Sequence, residues 1–165
     1  MDVYQFHQTP PELCKDLIPH VPLIEGDVVL EPFKGEGGFF NVFPEYVQKE
    51  WCEITQGKDY TAYTGDIDWV ITNPPFRLEG HEGRRNAFWE LIEYYTARVK
   101  KGIAFLGNDY CLGTLTPKRL EVLKALGFSI QKVVVCNVKK WRGRYFFIVI
   151  SKKPCTLYQH LLKVY

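Results

Sequence analysis

"DVVLEPFKGEGG", Asp27 to Gly38, is a short apolar run that ends on an acid and passes straight into a glycine-rich loop. Val28 to Glu31 has the β-branched, apolar character of a buried strand bounded by turn formers. Gly35, Gly37 and Gly38 then let the backbone turn sharply and come close to a ligand. Outward from this unit the pattern alternates. "TPPELCKDLIPHV" (Thr9–Val21) reads as a short helix capped by Thr9 and ending near Pro19, with prolines at its first positions and Glu12 completing a capping box. "FFNVFPEYVQKE" (Phe39–Glu50) reads as a helix that Pro44 interrupts or starts, and "WCEI" (Trp51–Ile54) as the next strand.

"DWVITNPPF", Asp68 to Phe76, is a strand that cannot continue, because two prolines remove two backbone donors and push Asn73 towards extended geometry. "RRNAFWELIEYYTARVKK" sets Phe88, Leu91, Ile92 and Tyr95 at helical spacing. The strand "GIAFLG", the capped helix "TPKRLEVLKALG" ending at Gly127, and the strands "FSIQKVVVCNV" and "RYFFIVISK" follow. This order predicts an α/β fold: a Rossmann-like, doubly wound, mostly parallel sheet closed by a C-terminal antiparallel hairpin. Ligands of such sheets bind beyond the carboxyl ends of the strands, so the glycine loop, the end of "WCEI" and the Asn-Pro-Pro-Phe turn are expected on one rim.

The 165 residues, 46% hydrophobic and 24% charged, suit one domain spanning 1–165. The polar N-terminus lacks a signal-peptide pattern, and the longest apolar run, "YFFIVI", is too short to span a membrane. Five scattered cysteines without a CxxC pair predict reduced thiols in a cytoplasmic protein, and four dispersed histidines predict no metal. Charge is divided. Up to Gly83 there are 5 Lys and Arg against 15 Asp and Glu; from Arg84 onward there are 16 against 4, which predicts two differently charged partners.

Glu31 argues against a pyrophosphate ligand, since a carboxylate repels phosphate. Glu53, about 20 residues beyond it, is spaced as an acid that accepts from ribose hydroxyls. A cationic ligand containing ribose fits both, and S-adenosylmethionine, with its sulfonium and α-ammonium, is such a molecule.

"EPFKGEGGF" followed by "NPPF" resembles the class I S-adenosylmethionine-dependent methyltransferases of the amino-methylating type. With "FHQTPPELCKDLI" ahead of the loop, the order is similar to that of γ-type adenine-N6 DNA methyltransferases. The resemblance implies that Thr9 and Pro10 border the methionine end of the cofactor, with Glu31, Gly35 and Gly37 as the floor. It also implies that Glu53 holds the ribose and Asp59 the adenine amino group, with Phe33 or Tyr60 as an apolar wall. Asn73 and the Pro74 carbonyl would accept the N–H groups of the target amine, Pro75 would stiffen the turn, and Phe76 would stack on a flipped base.

The chain departs from that family in two ways. Only five residues separate Glu53 from Asp59, so one α/β unit is expected to be missing, and no separate target-recognition domain is visible. Recognition then falls to loops, a partner protein or a second copy in a homodimer, or else is slight. Arg77, Arg84 and Arg85 follow the turn, and Lys139, Lys140, Trp141, Arg142 and Arg144 cluster between the last two strands. Cations neutralise phosphates and aromatics stack on bases, which suits nucleic acid, and the resemblance puts DNA ahead of RNA; the alternative for each is a solvated loop. The expected activity is methylation of the N6 amine of adenine in DNA. RNA adenine or guanine amine methylation, protein glutamine methylation and a non-catalytic subunit of a methyltransferase pair are the alternatives.

Overall fold

A computed structural model of the chain describes residues 8–78 and 87–164. Six strands form one sheet: β1 (Val28–Glu31), β2 (Gln48–Trp51), β3 (Ile67–Thr72), β4 (Val99–Asn108), β5 (Ser129–Cys136) and β6 (Tyr145–Ser151). Their order is β2-β1-β3-β4-β6-β5. The first four run parallel, whereas β6 is antiparallel to both β4 and β5. The expected C-terminal hairpin is therefore present. β2 lies at the sheet edge, where the full doubly wound order carries a further strand. Single 3-10 turns at Ile54–Gln56 and Tyr60–Ala62 stand where the missing α/β unit would be.

Alternation along the central strands separates two cores. Ile103 and Phe105 of β4 and Ile148 and Ile150 of β6 face helices α2 (Phe88–Thr96) and α4 (Pro117–Ala125). Ala104, Leu106, Phe147 and Val149 face the other side, covered by α1 (Pro11–Leu17), Phe39 and Phe43. Thr116 caps α4 and Gly127 follows its end at φ 86°, as the sequence predicts. A one-turn helix, α3 (Asp109–Gly113), capped by Asn108, is an addition the sequence reading lacked.

Three expectations are corrected. The helix over Phe39–Glu50 is a single 3-10 turn at Phe40–Val42, because Pro44 forces Phe43 into extended geometry at ψ 135°. Gln48, Lys49 and Glu50 are freed to enter β2, so the strand is Gln48–Trp51 rather than Trp51–Ile54. Thr9 is not a cap: Pro10 holds that position with no side-chain hydrogen bond, and the capping box does not form. Among the described residues no helix is long and apolar enough to cross a membrane.

Candidate functional site

The carboxyl ends of β1, β2 and β3 sit side by side, each strand about 4.8 Å from the next. Glu31 ends β1 and is 2% exposed. Its Oε1 accepts from the Phe33 N–H at 3.1 Å and, across to the end of β3, from the Thr72 hydroxyl. No cation pairs with it among the described residues. Burial pushes its carboxyl well above the usual 4.5, and the two donors do not offset this. A buried acid with hydrogen-bond donors but no counter-charge is suited to a cationic ligand laid on the glycine loop.

Asn73 and Thr9 meet directly. The Asn73 Nδ2 donates to Thr9 Oγ1 at 3.1 Å, so the Thr9 hydroxyl orients the carboxamide of the turn. Gln8 Oε1 accepts from the Glu36 N–H at 3.2 Å, and a Cβ on Gly38 would lie 3.0 Å from the Thr9 carbonyl. The segment around Thr9 and Pro10 thus bridges the glycine loop and the Asn-Pro-Pro-Phe turn. Gly35 and Gly37 adopt φ of 52° and 89°, which the loop requires of them. Gln8 and Thr72 were missed by the sequence reading. Both lie inside quoted segments, but their partners, 28 and 41 positions away, are remote in the chain.

Glu53 lies beyond the end of β2. Its Oε2 accepts from the Gly35 N–H at 2.8 Å, and its Oε1 from the Thr55 N–H and hydroxyl at 3.1 and 2.8 Å. Burial pushes its carboxyl up, but these three donors outweigh that and hold it below 4.5. Glu53 therefore stays charged and ties the glycine loop to β2. Asp59 caps the turn at Tyr60–Ala62, its Oδ1 accepting from the Thr61 N–H and hydroxyl at 2.9 and 2.5 Å. Phe33 and Tyr60 pack with ring centroids 5.4 Å apart, forming one aromatic wall beside it. A cavity of about 200 Å³ opens against Asp59, walled by Cys52, Lys58, Tyr63 and Gly65; Phe33, Tyr60 and Asn73 do not line it.

Pro74 is buried, while Pro75 and Phe76 are half-buried. Phe76 packs against the core, and its carbonyl accepts from the Ala87 N–H at 2.9 Å. Arg77 is exposed, and Arg84 and Arg85 lie outside the described residues. The loop between β5 and β6 reaches the same rim, because Tyr145 pairs with Asn108 at the end of β4 and with Cys136 at the end of β5. Lys139, Lys140, Arg142 and Arg144 are exposed there. Trp141 is half-buried on Tyr145, ring centroids 4.5 Å apart, and so anchors the loop. Trp69 is core, whereas Trp51 is half-exposed, with Lys34 and Lys58 ammoniums 4.6 and 4.1 Å from its ring.

No family model and no curated protein sequence matches the chain. Solved structures do. The chain superposes on a candidate class I S-adenosylmethionine-dependent methyltransferase of Listeria monocytogenes with TM-score 0.66 and 16% identity, covering 99% of this chain and 66% of that one. A candidate RNA methyltransferase of Pyrococcus horikoshii gives TM-score 0.64 and 17% identity, covering 92% and 88%. The modification subunit of a candidate type I restriction enzyme of Vibrio vulnificus gives 0.64 and 13%, covering 88% and 44%. The chain thus has the class I methyltransferase fold, and spans only part of the first and third of these proteins.

Proposed function

We propose that the chain is an S-adenosylmethionine-dependent methyltransferase acting on the exocyclic N6 amine of adenine in DNA. The observation that carries this reading is the Thr9-oriented carboxamide of Asn73, held one strand away from a buried acid with no cationic partner among the described residues. The residues fit the cofactor: Glu31 would face its positive charge, Gly35 and Gly37 would let it lie close, Glu53 would accept from the ribose, and Asp59 with Phe33 and Tyr60 would hold the adenine. S-adenosylmethionine supplies a methyl group made electrophilic by the sulfonium.

The chain's own residues do the rest. An aromatic amine is a poor nucleophile because its lone pair is delocalised into the ring. The Asn73 Oδ1 and the Pro74 carbonyl, accepting its two N–H groups, draw the nitrogen towards tetrahedral geometry and disperse the positive charge that develops on it. The rigid Pro74-Pro75 pair fixes both acceptors, which supplies positioning. No strong base is needed, since the proton leaves an already cationic nitrogen to water. Phe76 offers a ring edge or face to the base, and Lys139, Lys140, Arg142 and Arg144 stand two to three strand spacings away, roughly 10–14 Å, within reach of flanking phosphates.

RNA is the second reading, favoured by one observation: a structural neighbour of which the chain covers 88% is a candidate RNA methyltransferase. Incubation with labelled cofactor, followed by separation of DNA, RNA and protein, tests both. Label in adenine of DNA supports the first reading and label in RNA the second, whereas label only in protein rejects both.

A further inference from the structure

A second opening lies away from the methyltransferase rim. A cleft of about 620 Å³ lies at the amino-terminal ends of β3, β4 and β5, beside the end of β6. Lys100 and Lys101, Lys132, and Lys152 and Lys153 line it, with Trp69 in its wall. Its residues include no carboxylate. From Lys101 to Asn108, along β4, the two rims are roughly 23 Å apart at 3.3 Å per residue.

The charge of this cleft is only partly neutralised. Asp66 pairs with Lys100 at 3.3 Å and Asp27 with Lys101 at 2.5 Å. Among the described residues no carboxylate pairs with Lys132, Lys152 or Lys153. The Lys132 ammonium instead donates to His20 Nδ1 at 3.3 Å, and Lys152 sits 5.5 Å over the Phe128 ring. Three like charges lining one cleft repel one another, and local structure keeps their residues there.

That structure is specific. Both register shifts of the sheet fall in the cleft wall. One places an extra residue of β4 at Lys100–Lys101, opposite the Ile67–Trp69 step, and the other an extra residue of β5 at Gln131. Bulges re-aim side chains, and here they fall at the lysines. Gly102 makes room for the wall: a Cβ there would lie 2.4 Å from the Ile150 carbonyl and 2.6 Å from the Trp69 ring. Past β6, the Lys152 N–H donates to the Lys101 carbonyl at 3.0 Å and Gln131 donates to the Lys153 carbonyl, so the lysine pair is stitched to both neighbouring strands. Trp69 contributes an enclosed Nε1–H with no acceptor among the described residues.

We propose that this cleft is a binding site for clustered phosphate groups, distinct from the methyltransferase rim. The chemistry is two or more phosphates within one lysine-lined concavity, as a free polyphosphate or a polynucleotide backbone presents them. Its volume lies in the range of ligand sites, and ammonium groups without carboxylate partners are available to an anion at no loss of an existing ion pair. The proposal does not depend on methyl transfer.

The test titrates the protein with tripolyphosphate and, separately, with a single-stranded oligonucleotide of about twelve bases, following the indole N–H resonances of the 4 tryptophans by NMR. Tripolyphosphate should move the Trp69 resonance. Combined Lys132→Gln, Lys152→Gln and Lys153→Gln should weaken its binding at least tenfold, with S-adenosylmethionine affinity unchanged. An oligonucleotide that also moves Trp69, and loses that effect in the variant, identifies a polynucleotide backbone as the source; one that leaves Trp69 unmoved identifies free polyphosphate. If neither ligand moves Trp69, or the triple variant binds both as tightly as the parent, the site is refuted. Should the triple variant not fold, Lys132→Gln alone and the parent's resonance map decide. Phosphate binding without any cofactor binding would leave this site standing and remove the methyltransferase reading.

Discussion

Glu31→Gln should stabilise the apoprotein and weaken cofactor binding, two effects of opposite sign from one atom change. Glu31 is 2% exposed, accepts from Thr72 and Phe33, and lacks a cationic partner among the described residues. The folded state holds its proton more tightly than the unfolded state, whose carboxyl titrates near 4.5. Above that pH the unfolded state has shed a proton that the folded state still binds, so stability falls as pH rises towards the raised folded value. Glutamine keeps an acceptor for both donors and abolishes that loss. At neutral pH the gain should be about 1–3 kcal/mol, bounded by 1.36 kcal/mol for each pH unit above the unfolded value. Each kcal/mol corresponds to roughly 2–4 °C in Tm for a chain of this size. Binding should move the other way. Loss of one charge-assisted interaction with a cation costs about 1.5–3 kcal/mol, or roughly ten- to 150-fold in Kd. In the parent, affinity should rise with pH as Glu31 ionises; in the variant that dependence should flatten. Differential scanning calorimetry from pH 5 to 8 and titration calorimetry with S-adenosylmethionine read both. A variant with lower Tm and unchanged affinity would refute the reasoning and leave Glu31 a structural acceptor.

Glu53→Ala should weaken cofactor binding by about 1.5–3 kcal/mol and also loosen the glycine loop it ties through Gly35; unchanged affinity by titration calorimetry removes it from the site. Replacing Lys139 and Lys140 by Gln should lower the log–log salt slope of nucleic-acid binding by about one to two units while leaving cofactor affinity intact. An identical slope makes them solvated charges. Gly102→Ala should destabilise the fold by about 1–3 kcal/mol in urea titration, since its Cβ would meet the Ile150 carbonyl at 2.4 Å. A neutral result would show that β6 and Trp69 yield easily.

The parts of the fold that local chemistry decides were legible. Thr116 and Gly127 delimit α4, and "RYFFIVISK" alternates between two apolar faces along β6. The Asn-Pro-Pro-Phe turn ends β3 where the prolines require it. Pro44 stands inside the Phe39–Glu50 stretch that reads as a helix, and with Phe43 ahead of it held extended that helix does not form. β2 was misplaced because an edge strand tolerates Gln48, Lys49 and Glu50, which no apolar pattern marks. In the candidate site, residue types are what point to Glu31, Glu53 and Asn73. The Thr72 hydroxyl on Glu31, 41 positions away, and the Thr9 hydroxyl on Asn73, 64 positions away, are tertiary contacts that no local window contains. The lysine cleft is of the same kind: its cations come from separate strands and converge only through the sheet order and its two bulges.

Single-turnover methyl transfer by the parent and by Asn73→Ala, on an adenine-containing oligonucleotide with labelled S-adenosylmethionine, tests the central claim most directly. The Asn73 acceptor gains value as charge develops on the amine, so its loss should slow transfer by on the order of a hundredfold or more while cofactor affinity barely changes. Label should appear on the adenine amine. Turnover by Asn73→Ala at the parent's rate would contradict the account, making the turn structural and the amine-methylation mechanism wrong.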